Sequence, residues 1–173
     1  MAEHTQSARA GARPVPGRRL PAALPAARLA ARVSPRRSRE IVEQPRTGSL
    51  GEVRSSKRTL LLTYRRDGTP VPTPVWAAEA GARLYVRTER SSGKVKRLGR
   101  NPRMLVAPCT VGGKPLGPAS EASGRVLARE EEEAIAERAL ASRYGLGREL
   151  FERAMDIMRV DMCYLEITLA ARP

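Results

Sequence analysis

The segment 83–103 combines residue types and spacing that could bind an anionic ligand. It reads RLYVRTERSSGKVKRLGRNPR and holds eight Arg or Lys residues against one acid, Glu89. A short β-like run is followed by a Ser-Ser-Gly break, a basic helical stretch and Asn101-Pro102. A turn that leaves a strand and opens a helix presents unpaired backbone N–H groups, which attract anions. The pattern indicates a site for a phosphate-bearing ligand or for nucleic acid.

The sequence argues against several classes of catalytic chemistry. Its single histidine is His4, so a Ser-His-Asp or Cys-His mechanism is not expected. The two cysteines, Cys109 and Cys163, are far apart and form no CxxC pair, so no zinc or other metal site is predicted. Two isolated cysteines indicate core thiols in a reducing compartment, and we expect a cytoplasmic protein. No stretch approaches the ~18 apolar residues of a membrane-spanning helix.

The charge divides the chain into two parts. The net charge is +14 over 173 residues, and residues 1–46 contribute ten Arg and three Glu. Six prolines in this part break any helix, so 1–46 is predicted to be a disordered Ala/Arg/Pro-rich extension. Such a segment is typical of an organelle transit peptide or of an arm without a function. Residues 47–173, the predicted folded domain, carry only the other +7.

Periodicity within 47–173 predicts short strands first and helices late. The run 57–64 is apolar enough to be buried on both faces, and Asp67-Gly68 favours a hairpin turn after it. Three prolines in 70–77 indicate an edge strand or a strand that carries bulges. Further strands are predicted at 83–88, 103–110, 120–129 and 161–169, and helices at 95–100, 130–144 and 148–159, with Gly145 ending the second helix. The predicted fold class is α+β, a mainly antiparallel six-stranded barrel with a few helices.

Four sequence pieces then resemble a known family. They are KRTLLLTYRRDGTPVPTPVW, LYVRTERSSGKVKRLGRNPRMLVAPC, GRVL and YLEIT, within residues 50–169. Together they resemble the pyridoxamine 5′-phosphate oxidase-like flavoproteins, which have the FMN-binding split β-barrel. More narrowly they resemble the actinobacterial branch that uses the deazaflavin coenzyme F420. The chain lacks a further Trp/Arg-containing segment after its last strand, which argues against pyridoxal phosphate synthesis.

The resemblance implies a homodimer with two cofactor sites between the subunits. The phosphate would be held by Ser92, Lys94 and Arg97, with Thr88 and Ser91 assisting. The ring system would lie along the second strand, and Lys57 would be near the cofactor. The second-strand positions are Thr73, Pro74, Val75 and Trp76, which would act mainly through backbone groups. A further hypothesis assigns Arg87, Arg90 and Arg100 to the oligoglutamate tail of F420.

The implied activity is hydride transfer between F420 and an unidentified small organic substrate. Such chemistry needs no protein nucleophile, because the cofactor carries it; no catalytic residue is assigned. One alternative is an FMN-binding oxidase or reductase of the same fold, and another is a non-catalytic cofactor-binding protein. A basic nucleic-acid-binding protein is the remaining alternative, against which stand the charge in the extension and an aromatic content of 3%.

Overall fold

The computed structural model describes residues 41–43, 51–56, 58–157 and 159–170. One antiparallel sheet of seven strands, curled into a half barrel, forms its centre, in the spatial order β2-β1-β5-β6-β7-β4-β3. The strands are β1 Arg58–Tyr64, β2 Pro70–Val75, β3 Ala78–Ala80, β4 Arg83–Glu89, β5 Arg103–Cys109, β6 Ser120–Val126 and β7 Met162–Leu169. The helices are α1 Gly51–Ser55, α2 Gly93–Leu98 and α3 Glu130–Ile157. The predicted split β-barrel fold is confirmed.

The hairpin of β1 and β2 forms as the sequence predicts. Its turn closes with Gly68 at φ 78°, a conformation that glycine adopts without strain, while the Asp67 carboxylate accepts a bond from the Thr69 amide at 2.9 Å. β2 pairs with β1 alone and lies at one edge of the sheet. Because proline has no N–H to donate, a proline-rich strand suits this edge position.

Two predicted features need correction. The sheet has seven strands instead of six, because Ala78–Ala80 forms the short strand β3 against β4. Alanine-rich segments carry almost no β signal, so pairing with β4 decides this one. The basic helix spans Gly93–Leu98 instead of 95–100, since it begins directly after Ser92, whose backbone is extended.

The long helical region is interrupted where the sequence predicts it. α3 runs from Glu130 to Ile157, and Gly145 breaks it with φ 54° and ψ −146°. Helical residues lie on both sides of Gly145, as predicted. The side chains of the predicted apolar face in the second half are outside the described residues. None of the described helices is both long enough and apolar enough to cross a lipid bilayer.

Two apolar clusters lie on opposite faces of β1. The larger fills the concave interior of the sheet, where Leu61, Val106 and Leu165 pack with Leu98 of α2. The other contains Leu60, Leu62, Leu105 and Ile41, which is 1% exposed. Strand β1 is therefore buried on both faces, as its continuous apolar run predicts.

A buried carboxylate ties helix α3 to the sheet. Glu166 of β7 accepts bonds from Arg83 at 2.8 Å and from Arg125 at 2.9 Å. Arg125 also donates to Glu132 of α3, at 2.6 and 3.2 Å. Bonding to these two carboxylates raises the pKa of Arg125. The network fixes the N-terminal half of α3 against β6 and β7.

Candidate functional site

One end of the sheet interior carries two cations that the sequence analysis singled out. Arg97 of α2 donates from Nε to the Thr63 hydroxyl of β1 at 2.7 Å. Lys94, one turn earlier, lies 3.3 Å from the Ser92 hydroxyl. We call Thr63, Ser92, Lys94 and Arg97 the basic end. Helix α2 places Lys94 and Arg97 on the same side, because they are three residues apart, and Ser92 directly precedes the helix.

The charges of the basic end are not neutralised by the described part of the chain. Neither Lys94 nor Arg97 is within ion-pair distance of a described carboxylate. Burial lowers the pKa of Lys94; smaller effects of Cys163 and Glu89 raise it, and repulsion from Arg97 lowers it. Burial also lowers the pKa of Arg97, and Arg65 and Arg100 lower it further by repulsion. Partly buried cations without an acid are an environment that favours a bound anion.

Glycine at position 93 keeps space beside the Arg97 guanidinium. A Cβ atom built there would lie 2.8 Å from an Arg97 terminal nitrogen. The side chain of Arg97 therefore folds back over the first turn of α2. Its remaining guanidinium N–H groups have no described acceptor and can bind a ligand.

Thr88 and Ser91 are placed differently. Thr88 is buried on β4 opposite Cys163 of β7, and Cys163 is close enough to Lys94 to influence its pKa. Thr88 therefore lies near the basic end. Ser91 is exposed, and its hydroxyl donates to the Glu89 carboxylate. As the chain is arranged, the Ser91 hydroxyl is engaged with this acid.

The three arginines assigned to an anionic tail differ in their surroundings. Arg90 forms an ion pair with Asp161 at 3.2 Å, which occupies part of its guanidinium. Arg87 lies with its guanidinium carbon 5.9 Å from the Tyr164 ring centre. Arg100 is exposed and close enough to Arg97 to lower its pKa. Of the three, Arg100 is the one whose charge lowers the pKa of a residue in the basic end.

The predicted ring-binding strand runs along the edge of the same sheet. Thr73 is opposite Leu61, and Pro74 is opposite Leu60. Val75 is 7% exposed and packs in the interior cluster, so only its backbone is available to a ligand. The side of β2 away from β1 has no neighbouring strand in the described sheet. Its backbone carbonyls can therefore accept hydrogen bonds from a ligand.

Trp76 lies beyond the other end of β2, in a cleft of about 520 Å³. The Arg58 guanidinium carbon lies 4.3 Å from the indole centre, and the Tyr144 ring centre is 5.9 Å from it at an interplanar angle of 41°. The Tyr144 hydroxyl donates to the Ala77 carbonyl at 2.8 Å and accepts from the Ala77 amide at 3.2 Å. We call this space the Trp76 cleft; its lining residues are Ser55, Ser56, Arg58, Trp76, Val111, Arg143 and Tyr144.

The structure therefore gathers the predicted residues at two places. Ser92, Lys94 and Arg97 meet at the basic end with Thr88 nearby, whereas Trp76 lies by Arg58, at the far end of β1. Thr63 and Arg58 are five residues apart on this strand, a separation of roughly 17 Å at the rise of a β-strand. Lys57 lies outside the described residues. An elongated ligand along β2 would be needed to touch both places.

Sequence analysis missed four residues that shape these places. Thr63 and Arg58 appeared only as members of a buried strand, and Tyr144 and Arg143 only as members of a helix. The polar hydroxyl of Thr63 inside an apolar run was a usable signal, since a buried hydroxyl needs a hydrogen-bond partner. The contact of Tyr144 with Ala77, 67 positions away, left no local signal.

The predicted core thiols are buried, and no metal site is present among the described residues. Burial raises the pKa of Cys109 to about 11. Burial also raises the pKa of Cys163. In the described ranges no group of three His, Cys, Asp or Glu side chains could hold a metal ion.

Comparisons with known proteins identify the fold. No family model matches the chain, and no curated protein sequence matches it. The heme-storage protein HutZ of Vibrio cholerae is similar in structure, with a TM-score of 0.54 and 13% identity over 69% of this chain and 85% of that one. A protein of the pyridoxine phosphate oxidase family from Clostridium acetobutylicum, related to general stress protein 26, matches with a TM-score of 0.50 and 17% identity over 79% and 86%. An FAD-binding protein of Mesorhizobium loti matches with 0.50 and 15% over 69% and 84%. The chain has the split-barrel fold of the pyridoxamine phosphate oxidase-like proteins.

Proposed function

We propose that this protein is an F420-dependent oxidoreductase that moves a hydride between the deazaflavin and a small organic substrate. The observation that carries the proposal is the basic end, where Lys94 and Arg97 lie partly buried with no described carboxylate. We further propose a homodimer with its cofactor sites between the subunits, as the sequence resemblance implies.

The described residues fit a phosphate-bearing ligand. Ser92 supplies a hydroxyl group, and Lys94 and Arg97 supply the charge, of which Lys is a compact point charge and Arg a planar fork. The buried hydroxyl of Thr63 orients Arg97. A bound phosphate would compensate the desolvation of both cations, because an opposite charge favours their charged forms. The basic end would hold the phosphate of the cofactor.

The edge strand would hold the ring system. Thr73, Pro74 and Val75 present backbone carbonyls on the side of β2 that no described strand covers, and Trp76 follows directly. When bound, the deazaflavin supplies the hydride chemistry. The protein would bind, orient and shield the ring, which explains why no nucleophile or histidine is required of the described residues.

The charge near the basic end favours F420 over FMN. Arg65 and Arg100 both act on Arg97 and are exposed, so four cations lie at this end of the sheet. One phosphate does not need four cations, whereas a ligand that also carries a polyglutamate tail can use the outer two. Arg65 and Arg100 are therefore our candidates for the tail. FMN would make the same phosphate contacts, but it has no polyglutamate tail to contact Arg65 and Arg100.

Titration of the purified protein with F420 and with FMN, followed by fluorescence, tests the proposal. We expect saturable F420 binding, weaker FMN binding, and a loss of about tenfold or more in Lys94→Ala, since a charge-assisted bond contributes roughly 1.5–3 kcal/mol. Lys96→Ala is the matched control, because Lys96 is an exposed lysine on the same helix.

Several outcomes would count against the proposal. Tight FMN binding without an F420 response would replace F420 by FMN. Equal losses in the Lys94 and Lys96 variants would mean that general surface charge binds the ligand. Bound F420 that no reductant or acceptor changes would favour a non-catalytic binding protein. A monomer in gel filtration with F420 bound would contradict the shared site.

A further inference from the structure

We propose that the Trp76 cleft binds a planar carboxylate and that Arg58 is the residue that receives its carboxylate group. If this ligand is the substrate of the enzyme, the substrate class is an organic acid with a flat apolar body, and that step rests on the proposed function. The binding itself depends only on the cleft.

Arg58 is a cation without a hydrogen-bonded or ion-paired protein partner in the described part of the chain. Its guanidinium makes no hydrogen bond and no ion pair there, and its described interaction is the stacking on the Trp76 ring at 4.3 Å. Burial lowers the pKa of Arg58 and outweighs the opposing effects of Tyr144 and Cys109. Stacking leaves the edge of the guanidinium fork open, and this edge matches the two oxygens of a carboxylate.

Arg143 adds a second positive charge to the same cleft. One of its terminal nitrogens donates to the carbonyls of Arg54 and Ser56, both at 2.7 Å. Carbonyl oxygens orient the guanidinium and leave its charge uncompensated. Two arginines therefore face one cleft, and the other lining residues that the structure describes include no carboxylate. The net charge of the lining selects an anion.

The remaining lining selects a flat apolar body. Trp76 and Tyr144 form an aromatic wall, and Tyr144 is fixed by its two bonds to Ala77. The lining also includes Val111, a large apolar side chain that is 66% exposed. A stacked ring beside a guanidinium fork is a suitable environment for an aromatic or conjugated acid. A free phosphate would use the charges and leave the aromatic wall without a contact.

The cleft is distinct from the basic end. Arg58 is the first residue of strand β1, and Thr63 is the residue before its last. At the rise of an extended chain they are roughly 17 Å apart. A ligand phosphate held at Lys94 and Arg97 therefore does not occupy Arg58. The two sites can be tested independently with separate variants.

The position of Trp76 allows a direct test, because it is the single tryptophan of the sequence. Its fluorescence is measured while the full-length protein is titrated with benzoate, with the neutral isostere benzamide, and with inorganic phosphate, at constant ionic strength. We expect a saturable change with benzoate and at least about tenfold weaker binding in Arg58→Gln, as for the loss of one charge-assisted bond. Arg58→Lys should lie between, since it keeps the charge and loses the planar fork.

Two controls separate this inference from general charge and from the basic end of the proposed cofactor site. Arg66→Gln removes an exposed cation from the β1–β2 turn and should leave benzoate binding unchanged. Lys94→Ala should also leave it unchanged, so a failure to bind F420 would not affect the result. Calorimetry of the same titrations confirms the affinities for the variants that alter Trp76 emission.

The inference is overturned if folded wild-type protein gives no saturable benzoate response, or if benzamide binds as well as benzoate. It is also overturned if Arg66→Gln weakens binding as much as Arg58→Gln does. Phosphate that displaces benzoate with equal affinity would contradict the choice of a carboxylate with a flat body.

Discussion

Lys94 shows at the scale of one residue how a binding group can weaken the protein that carries it. Its burial lowers its pKa, so its charged form is less favourable in the folded chain than in the unfolded chain. At neutral pH the folded protein bears this desolvation, because Lys94 forms no ion pair in the described part of the chain and the attraction of Glu89 is smaller than the cost of burial. A residue with only a structural role would be expected to stabilise the fold. Lys94 is better explained by the anion that we propose it binds.

Replacing Lys94 with Met should therefore stabilise the protein while abolishing phosphate-ligand binding. Met has a similar length and removes the desolvated charge, and we expect a gain of about 1 kcal/mol at pH 7, as for other relieved binding sites. Thermal unfolding with and without F420 measures both effects. Lys96→Met on the exposed side of α2 should change neither.

The pH dependence has a defined sign. The folded pKa of Lys94 lies below its ordinary value of 10.5. Between these two pKa values the unfolded chain binds more protons, so the wild-type free energy of unfolding rises with pH relative to the Met variant. The advantage of Lys94→Met should be complete at neutral pH and disappear as the pH approaches 10.5. A Met variant that is less stable than wild type at pH 7 would contradict this account.

At the scale of elements, the break in α3 is the most sharply testable feature. Gly145 has φ 54° and ψ −146°, a combination that side-chain-bearing residues rarely adopt. Gly145→Ala should lower the free energy of unfolding by about 1–3 kcal/mol through backbone strain. Gly99→Ala is the matched control, since Gly99 has φ −62° and ψ −19° and its nearest contact to a new Cβ atom is 3.7 Å.

Denaturant unfolding of both glycine variants measures whether backbone strain at position 145 lowers the free energy of unfolding. The Gly99 variant should be neutral or slightly stabilised, because alanine restricts the unfolded chain without straining this conformation. Equal effects in the two variants would mean that the break at Gly145 is not set by its backbone conformation.

Local patterns predicted most elements, and distant contacts account for what they missed. The apolar run of β1, the proline-rich edge strand β2 and the break at Gly145 follow from chemistry within a few residues. β3 was missed because pairing with β4 determines it. Ser92, Lys94 and Arg97 could be predicted because they share one short segment. Thr63 joins Arg97 across 34 positions, and that distance is invisible to local patterns.

At the scale of the whole molecule, two surfaces of β1 serve different purposes. Its concave side, with Leu61 and Thr63, supports the interior core and the basic end. Its other side, with Leu60 and Leu62, packs against Ile41. Ile41 falls within 1–46, the part that the sequence assigns to a disordered extension. The described helical residues 41–43 thus cover a face of the sheet whose exposure would be costly.

This arrangement predicts that the extension is not uniformly dispensable. Ile41→Ala in the full chain should lower the free energy of unfolding by about 2–5 kcal/mol, the range for large-to-small changes in a core. Val42→Ala is the control, because Val42 is only partly buried and its truncation removes less apolar area.

In deletion variants, removal of 1–39 should leave the unfolding midpoint near that of the full chain, whereas removal of 1–46 should lower it. The longer deletion should also expose the apolar side of β1, detected by binding of a hydrophobic dye. Equal midpoints for the two deletions, together with a silent Ile41→Ala variant, would show that the face over Leu60 and Leu62 does not need this cover.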